Sequence, residues 1–214
     1  MSAAPRLAVL LSGSGTTLQN LLDRIADGRL SAQVVRVMSS KADAFGLERA
    51  RQAGIQAAAV ERKACASREE FSAKMFGPCR EAGADIVCLA GFLQLVQVPD
   101  DFMGKVLNIH PALIPAFCGK GFHGRHVHEA VLEAGVKVTG CTVHFADNEY
   151  DRGPIILQRT CPVLDDDTPE SLAARVFAVE CEAYPEAIRL LAEGRLRIEG
   201  RRVRISTDTS RGPV

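Results

Sequence analysis

Two polar side chains stand two residues apart at the end of an otherwise apolar stretch, KVLNIHPALIP. Asn108 and His110 alternate there with Leu107 and Ile109. Because strand side chains alternate between faces, the amide and the imidazole would point the same way, about 7 Å apart between Cα atoms. An amide can donate to a developing oxyanion, and an imidazole can exchange a proton near neutral pH. The stretch alone is equally compatible with a buried structural histidine that has found a hydrogen-bond partner.

A candidate partner for the imidazole lies further along, in TVHFADNEYDRGPII. Thr142 and His144 would share one strand face there, and an acidic loop ending at Asp151 follows them. The tight turn DRGP could direct Asp151 back towards the strand ends. A carboxylate in that position would orient an imidazole and favour its protonated form. A solvated acidic loop is the alternative interpretation.

A glycine-rich turn, SGSGTTLQNLL, joins the first predicted strand to the first predicted helix. Gly13 and Gly15 match the first two glycines of a dinucleotide fingerprint, but Leu18 occupies the third position and no Walker lysine is present. Free N–H groups and the helix dipole at such a turn suit a phosphate. A monophosphate therefore fits better than a dinucleotide, and a plain tight turn is the alternative.

These candidates need a scaffold that brings them to one edge of a sheet. In the first half, short apolar segments such as RLAVLLSG, AQVVRVMSS, ADIVCLAG and KVLNIH alternate with helical stretches. This alternation predicts a parallel sheet covered by helices on both faces. Ligands of such sheets bind beyond the carboxyl ends of the strands, which is where Ser12, Gly13, Gly91 and His110 would lie.

The second half of the sequence has a different pattern. Two longer strands, VKVTGCTVHFA and GPIILQRTCPV, precede a long helix capped by Thr168 and ended by Gly194, and RLRIEGRRVRIS reads as a closing hairpin. We therefore predict an α/β protein with a Rossmann-like open twisted sheet, parallel in its N-terminal half and mixed in its C-terminal part. We expect a single domain over 1–214, with halves of about 1–105 and 106–205 and a flexible tail at 206–214.

Composition narrows the classes of function. The 214 residues include 26 basic and 26 acidic side chains, so nothing global indicates nucleic acid or an anionic membrane as a partner. Seven cysteines without a C-x-x-C pair argue against zinc and favour a reducing, cytoplasmic setting. No stretch approaches the roughly 20 apolar residues of a membrane span. The histidines of FHGRHVH lack acidic or cysteine neighbours, so we expect no metal site there.

Assembled in order, these motifs resemble the phosphoribosylglycinamide formyltransferases, a family of folate-dependent enzymes of purine biosynthesis. The resemblance covers nearly the whole chain, through LAVLLSGSGTTLQNLL, KADAFGLERARQAGI, DIVCLAGF, LNIHPALIP, VTGCTVHF and D-x-GPIILQ. It implies the formyltransferase fold. It also implies transfer of the formyl group of 10-formyltetrahydrofolate, a co-substrate, to the glycyl amine of 5'-phosphoribosylglycinamide, without a metal.

The resemblance also assigns roles to residues of this chain. The implied catalytic residues are Asn108, His110 and Asp151, with Thr142 and His144 as possible support. The implied contacts of the phosphoribosyl substrate are Gly13, Gly15, Thr16, Thr17 and Glu180. The implied folate contacts are Arg68, Leu93, Gln94, Leu95, Val96, Asn108, Asp147, Asn148, Glu149, Tyr150 and Asp151. The sequence departs from the family pattern at Gln94, Ala112 and Phe177, none of which is catalytic.

Three alternatives remain beside this interpretation. A formyltetrahydrofolate deformylase would hydrolyse the same folate, but we expect no N-terminal regulatory domain before the first strand. A methionyl-tRNA formyltransferase would need a C-terminal tRNA-binding domain, which we likewise do not expect. A non-catalytic phosphate- or nucleotide-binding module would not need Asn108, His110 and Asp151. We expect small-molecule substrates, no nucleic acid or membrane partner, and a monomer or homodimer.

Overall fold

The computed structural model describes residues 4–207 and divides into two compact units, Met1–Leu107 and Asn108–Val214. Most of the tail for which we predicted flexibility, residues 208–214, lies outside the described part of the chain. The predicted single domain, with its division near residue 105, remains a proposal.

The first unit is built on four parallel strands. They are β1 (Arg6–Leu11), β2 (Gln33–Ser39), β3 (Ala57–Ala59) and β4 (Ile86–Leu89), in the order β3-β2-β1-β4. The central strand β1 is inaccessible to solvent from Leu7 to Leu11, as its unbroken apolar run predicts. Helices α1 (Thr16–Ala26), α2 (Phe45–Gln52) and α3 (Arg68–Glu81) connect the strands, with short 3-10 turns at Arg62–Ala64 and Asp100–Phe102.

Local sequence signals fix the ends of these helices. Gly28, in a left-handed conformation with φ 79°, follows the last turn of α1. The Ser67 hydroxyl caps α3 by accepting a hydrogen bond from the Glu70 N–H at 3.1 Å. Leu47 and Ala50 of α2 are buried, whereas Ala53 is exposed because α2 ends at Gln52.

The second unit has mixed strands. After β5 (Val106–His110), which spans the division, come α4 (Arg125–Glu133), β6 (Val138–Phe145), β7 (Ile155–Pro162), α5 (Pro169–Ala192), β8 (Leu196–Glu199) and β9 (Arg202–Ile205). The antiparallel pair β6–β7 continues to β9, which runs parallel to β7 and antiparallel to β8. A reciprocal capping box between Thr168 and Ser171 opens α5, which packs on β6 and β7.

Other features of the described residues bear on function only indirectly. All seven cysteines are free thiols. Between residues 4 and 207, no helix is long and apolar enough to cross a membrane. Within the same range, no three histidine, cysteine or acidic side chains are grouped so that they could hold a metal ion. The cytoplasmic setting and the monomeric or homodimeric state stay predictions.

Candidate active site

Four polar side chains meet at the end of β5 in the second unit. Asn108 Nδ2 lies 3.0 Å from His144 Nε2 and 3.3 Å from Asp151 Oδ1. His110 Nδ1 lies 3.6 Å from Asp151 Oδ2. The three residues that the resemblance marks as catalytic are therefore brought together, and His144 joins them from the same face of β6 as Thr142.

Hydrogen bonds to the main chain determine which nitrogen of His144 carries the proton. Its Nδ1 lies 2.8 Å from the carbonyl oxygen of Phe145, which can only accept. Nδ1 therefore carries the hydrogen, and Nε2 of the neutral ring accepts from the Asn108 amide. Since Asn108 also donates to Asp151, both of its amide hydrogens are directed at partners inside the protein.

His110 is held by a main-chain contact on its other side. Its Nε2 donates to the carbonyl oxygen of Phe117 at 2.8 Å, and the residue is 4% exposed. In the neutral ring, Nδ1 then has a free lone pair that faces the carboxylate of Asp151. The distance of 3.6 Å is longer than a hydrogen bond, so the two groups are in electrostatic contact rather than bonded.

Burial and the neighbouring carboxylate act on His110 in opposite directions. Burial lowers the pKa of His110, and the opposing effects of the Asp151 charge and the Phe117 carbonyl do not restore it. The carboxylate favours the protonated imidazole, as expected. The net pKa is nevertheless lowered, because removing the ring from water is the larger effect.

Asp151 owes its position to an unusual backbone conformation. It has φ 54°, a left-handed value that few residues other than glycine adopt, and its side chain is 11% exposed. Oδ2 accepts a hydrogen bond from the Gly119 N–H at 2.8 Å. Burial would raise the pKa of Asp151, but the contacts with His144, His110 and the Gly119 N–H outweigh it and lower the pKa. Asp151 is therefore an ionised, partly buried carboxylate.

Segment 117–119 touches both members of this pair through its main chain. The Phe117 carbonyl accepts from His110, and the Gly119 N–H donates to Asp151. Phe117 itself has φ 50°, and Gly119 has φ 94°. Sequence reasoning missed both residues, because a contact made by the main chain does not require a particular side chain. The only available signal was the glycine-rich run CGKGFHG, which we interpreted as a loop.

The strand end that carries His110 is fixed to β6 by Thr142. The buried Thr142 hydroxyl donates to the Ala112 carbonyl at 2.7 Å and accepts from the Ile114 N–H at 3.0 Å. The next peptide bond, between Ile114 and Pro115, is cis. The supporting position predicted for Thr142 thus corresponds to a direct contact with the turn that follows His110.

Glu180, on α5, is a buried carboxyl that forms no ion pair with any residue between 4 and 207. It is 9% exposed, and burial raises its pKa to about 7. It interacts electrostatically with Cys141 of β6, whose own thiol pKa is raised to about 12, first by burial and then by that carboxyl. Glu180 is not among the hydrogen-bonded partners of His110 or Asp151.

In the first unit, the glycine-rich turn is braced by α2. Gly15 adopts φ 70° at the N-terminal end of α1, and a Cβ at this position would lie 2.6 Å from the Gly46 Cα. The Gly46 N–H donates to the Gly13 carbonyl at 3.0 Å, and Arg49 donates to the Ser14 carbonyl at 2.9 Å. Thr16 and Thr17 follow as the first residues of α1.

The same turn is linked to the stretch with implied folate contacts. The Ser12 hydroxyl accepts from the Leu93 N–H at 2.9 Å and lies 2.6 Å from the Ser40 hydroxyl. The residues that follow Leu93 are partly buried at Gln94 and Leu95 and fully buried at Val96. The ends of β1, β2 and β4 therefore meet as an open parallel sheet requires. Arg68 stands apart from this set, as the first residue of α3.

Comparison with known proteins shows the family to which this chain belongs. Residues 5–188 match the family model described as formyl transferase. The chain belongs to the formyl transferase family. Phosphoribosylglycinamide formyltransferase of Escherichia coli is 39% identical over 194 residues, which cover 90% of this chain and 89% of that protein. The human trifunctional purine biosynthetic protein adenosine-3 is 42% identical over 195 residues, but this chain spans only 19% of its length.

A solved formyl transferase structure agrees with the fold. Glycinamide ribonucleotide transformylase 1 from Symbiobacterium toebii is 49% identical, with a TM-score of 0.87 over 96% of this chain and 95% of that one. The predicted α/β formyltransferase fold is thereby confirmed. The resemblance drawn from the sequence motifs is confirmed as well.

The acidic loop of this formyl transferase leads directly into Asp151. Asp147 Oδ1 accepts from the Glu149 N–H at 2.9 Å, which gives the loop a local turn. Asn148 and Glu149 are exposed, whereas Asp147 and Tyr150 are partly buried. Asp151, the last residue of this loop, contacts His110 and Asn108.

Proposed function

We propose that this protein transfers the formyl group of 10-formyltetrahydrofolate to the glycyl amine of 5'-phosphoribosylglycinamide. The products would be formylglycinamide ribonucleotide and tetrahydrofolate, in purine biosynthesis. The observation that carries the proposal is the contact of His110 with Asp151 beside Asn108, within a formyl transferase chain. The names of relatives that this chain matches over most of their length support the same reaction.

His110 and Asp151 handle the proton in this reaction. The amine loses a proton as it attacks the formyl carbon, and the departing folate nitrogen gains one. The neutral His110 has a free lone pair on Nδ1 that can take up a proton, because Nε2–H is held by Phe117. Asp151, 3.6 Å away, stabilises the resulting imidazolium until the proton passes to the leaving nitrogen.

Asn108 stabilises the oxygen that becomes negative during attack. Both of its amide hydrogens are engaged, so the amide exchanges one partner when substrate binds. The bond to Asp151 is the longer of the two, at 3.3 Å against 3.0 Å to His144, and is the one released. A single oxyanion donor of this kind is typically worth roughly 3–4 kcal/mol in the transition state.

Most of the substrate contacts are assigned to residues beyond the cluster of Asn108, His110, His144 and Asp151. The turn at Gly13, Gly15, Thr16 and Thr17 offers free N–H groups at the start of α1 for the phosphate. Glu180 offers a buried carboxyl as a hydrogen-bond partner for the same substrate. The folate is held by Arg68, by the main chain of residues 93–96 and by the loop 147–151.

The deciding experiment is an acceptor-dependent formyl-transfer assay. Folate absorbance is followed with 10-formyltetrahydrofolate in the presence and absence of glycinamide ribonucleotide. We expect turnover only when the acceptor is present. Release of formate without acceptor would instead identify a deformylase, and no turnover in either case would identify a binding module.

A further inference from the structure

Gln158, on β7, contacts the turn that follows His110. Its Nε2 donates to the Thr142 hydroxyl at 3.0 Å and to the Ile114 carbonyl at 3.0 Å. Gln158 lies directly opposite Thr142 across the β6–β7 pair, so the two side chains share one face of the sheet. Gln158 is the last residue of the segment D-x-GPIILQ, but sequence reasoning assigned it no role.

The hydrogen-bond directions in this network have one solution. The Thr142 hydroxyl has one hydrogen, which must go to the Ala112 carbonyl because a carbonyl only accepts. The hydroxyl oxygen then accepts from the Ile114 N–H and from Gln158. A hydroxyl has two lone pairs, so its bonding capacity is filled.

The network fixes the path of the chain beyond His110. Ala112 and Ile114, two and four residues past the histidine, are tied to β6 by Thr142, and Gln158 adds a second bond to Ile114. His110 must keep Nε2 on Phe117 and Nδ1 towards Asp151, so a shift of this turn would disturb both contacts. We propose that Gln158 is a positioning residue that, through Thr142, holds His110 in register with Asp151.

Loss of Gln158 should therefore act on the chemical step. In Gln158→Met, which keeps the length of the side chain but removes both donors, we expect kcat to fall roughly 10-fold to 100-fold with KM unchanged for either substrate. Thr142→Val should behave alike, and Thr142→Ser should restore kcat because it keeps the hydroxyl. The double variant should be little worse than Thr142→Val alone, because Gln158 and Thr142 hold the same turn.

Thr139→Val is the matched control. Thr139 is also buried on β6, but it lies three residues from Thr142 and so on the opposite face. We expect wild-type kcat. Gln158 is exposed, so its substitution should leave the thermal midpoint nearly unchanged. A wild-type kcat in Gln158→Met, or losses that multiply in the double variant, would overturn the proposal.

A second readout makes the test independent of the reaction. The proposal rests on the proposed function only for its kinetic effect, since the ring nitrogen and proton NMR shifts of His110 report its environment without turnover. We expect these shifts to change in Gln158→Met and Thr142→Val and to be unaltered in Thr139→Val. Inactive wild-type protein would refute the proposed function, whereas unchanged His110 shifts would refute the positioning role.

Discussion

His110 Nδ1 faces Asp151 Oδ2 at 3.6 Å, while the opposite nitrogen of the same ring donates to the Phe117 carbonyl. These contacts orient the imidazole from both sides, and burial lowers its pKa, which favours the neutral ring at neutral pH. We expect His110→Ala and Asp151→Ala each to lower kcat by at least about 10²-fold, the usual contribution of acid–base catalysis. Steady-state formyl transfer measures the loss, with folding checked by circular dichroism.

The control for this pair is His126→Ala. His126 is a histidine of α4 whose side chain is 68% exposed, and its contacts include the surface residues Glu129 and His123. We expect turnover equal to that of the wild type. Normal turnover in either His110→Ala or Asp151→Ala would remove that residue from the mechanism.

The pH profile of kcat/KM should follow the lowered pKa of His110. Because the neutral imidazole accepts the proton, activity should hold at neutral pH and fall only below the ordinary histidine value of about 6.5. The Asp151 charge raises this pKa against burial, so Asp151→Asn should move the acid limb to still lower pH. An acid limb that moves upward in the variant would contradict this electrostatic account.

Stability should depend on pH through Glu180. Its pKa of about 7 in the folded protein lies above the ordinary glutamate value of 4.5, so the folded state binds the proton more tightly. The buried charge therefore destabilises the fold increasingly as pH rises from 4.5 through about 7. We expect Glu180→Gln to raise the thermal midpoint at pH 8 and to leave it nearly unchanged at pH 4, measured by calorimetry.

The kinetic effect of Glu180→Gln separates stability from binding. A role in substrate contact predicts a higher KM for glycinamide ribonucleotide and an unchanged KM for the folate. Equal midpoints for the variant and the wild type at pH 8 would mean that the carboxylate is not buried as described.

The phosphate turn should be intolerant of a side chain at Gly15. Gly15→Ala meets both the cost of φ 70° and a contact of 2.6 Å with the Gly46 Cα. The left-handed conformation alone costs about 1–2 kcal/mol. We expect a lower thermal midpoint and a raised KM for the phosphorylated substrate.

Gly77→Ala is the matched control for Gly15→Ala. Gly77 lies inside α3, and apart from its chain neighbours nothing lies within 4 Å of a Cβ there. Because Gly77 precedes Pro78, which opposes a helical residue with a Cβ, we do not expect the usual helix gain of about 0.5–1 kcal/mol, and both KM values should be unchanged. A Gly15→Ala protein as stable and as active as the Gly77→Ala control would refute the bracing of the turn by α2.

Sequence reasoning reached the main residues of the cluster because their signals are carried by side chains. Period-two spacing put Asn108 and His110 on one face, and the resemblance linked them to Asp151. The alternation of apolar strands and helices similarly predicted β1, β2, β4 and β5. The strand β3 was missed because Ala57–Ala59 has neither β-branched nor aromatic residues, the usual signs of a strand.

The remaining parts of the site depend on tertiary geometry. Gln158 resembles any polar residue on the outer face of a strand until the register of β6 against β7 is known. That register shifts between Val143 and His144, an irregularity that the residue types do not predict. The depressed pKa of His110 likewise depends on how completely the ring is buried, which spacing does not give.

The contacts of segment 117–119 have a consequence for how this site can change. His110 and Asp151 are bonded there to a carbonyl and an N–H group, so these contacts depend on no particular side chain. The positive φ angles of Phe117 and Gly119 are what limits the residue types at these two positions. Substitutions in this segment should therefore be tolerated where they keep these backbone conformations, although the geometry of the reacting groups depends on the segment.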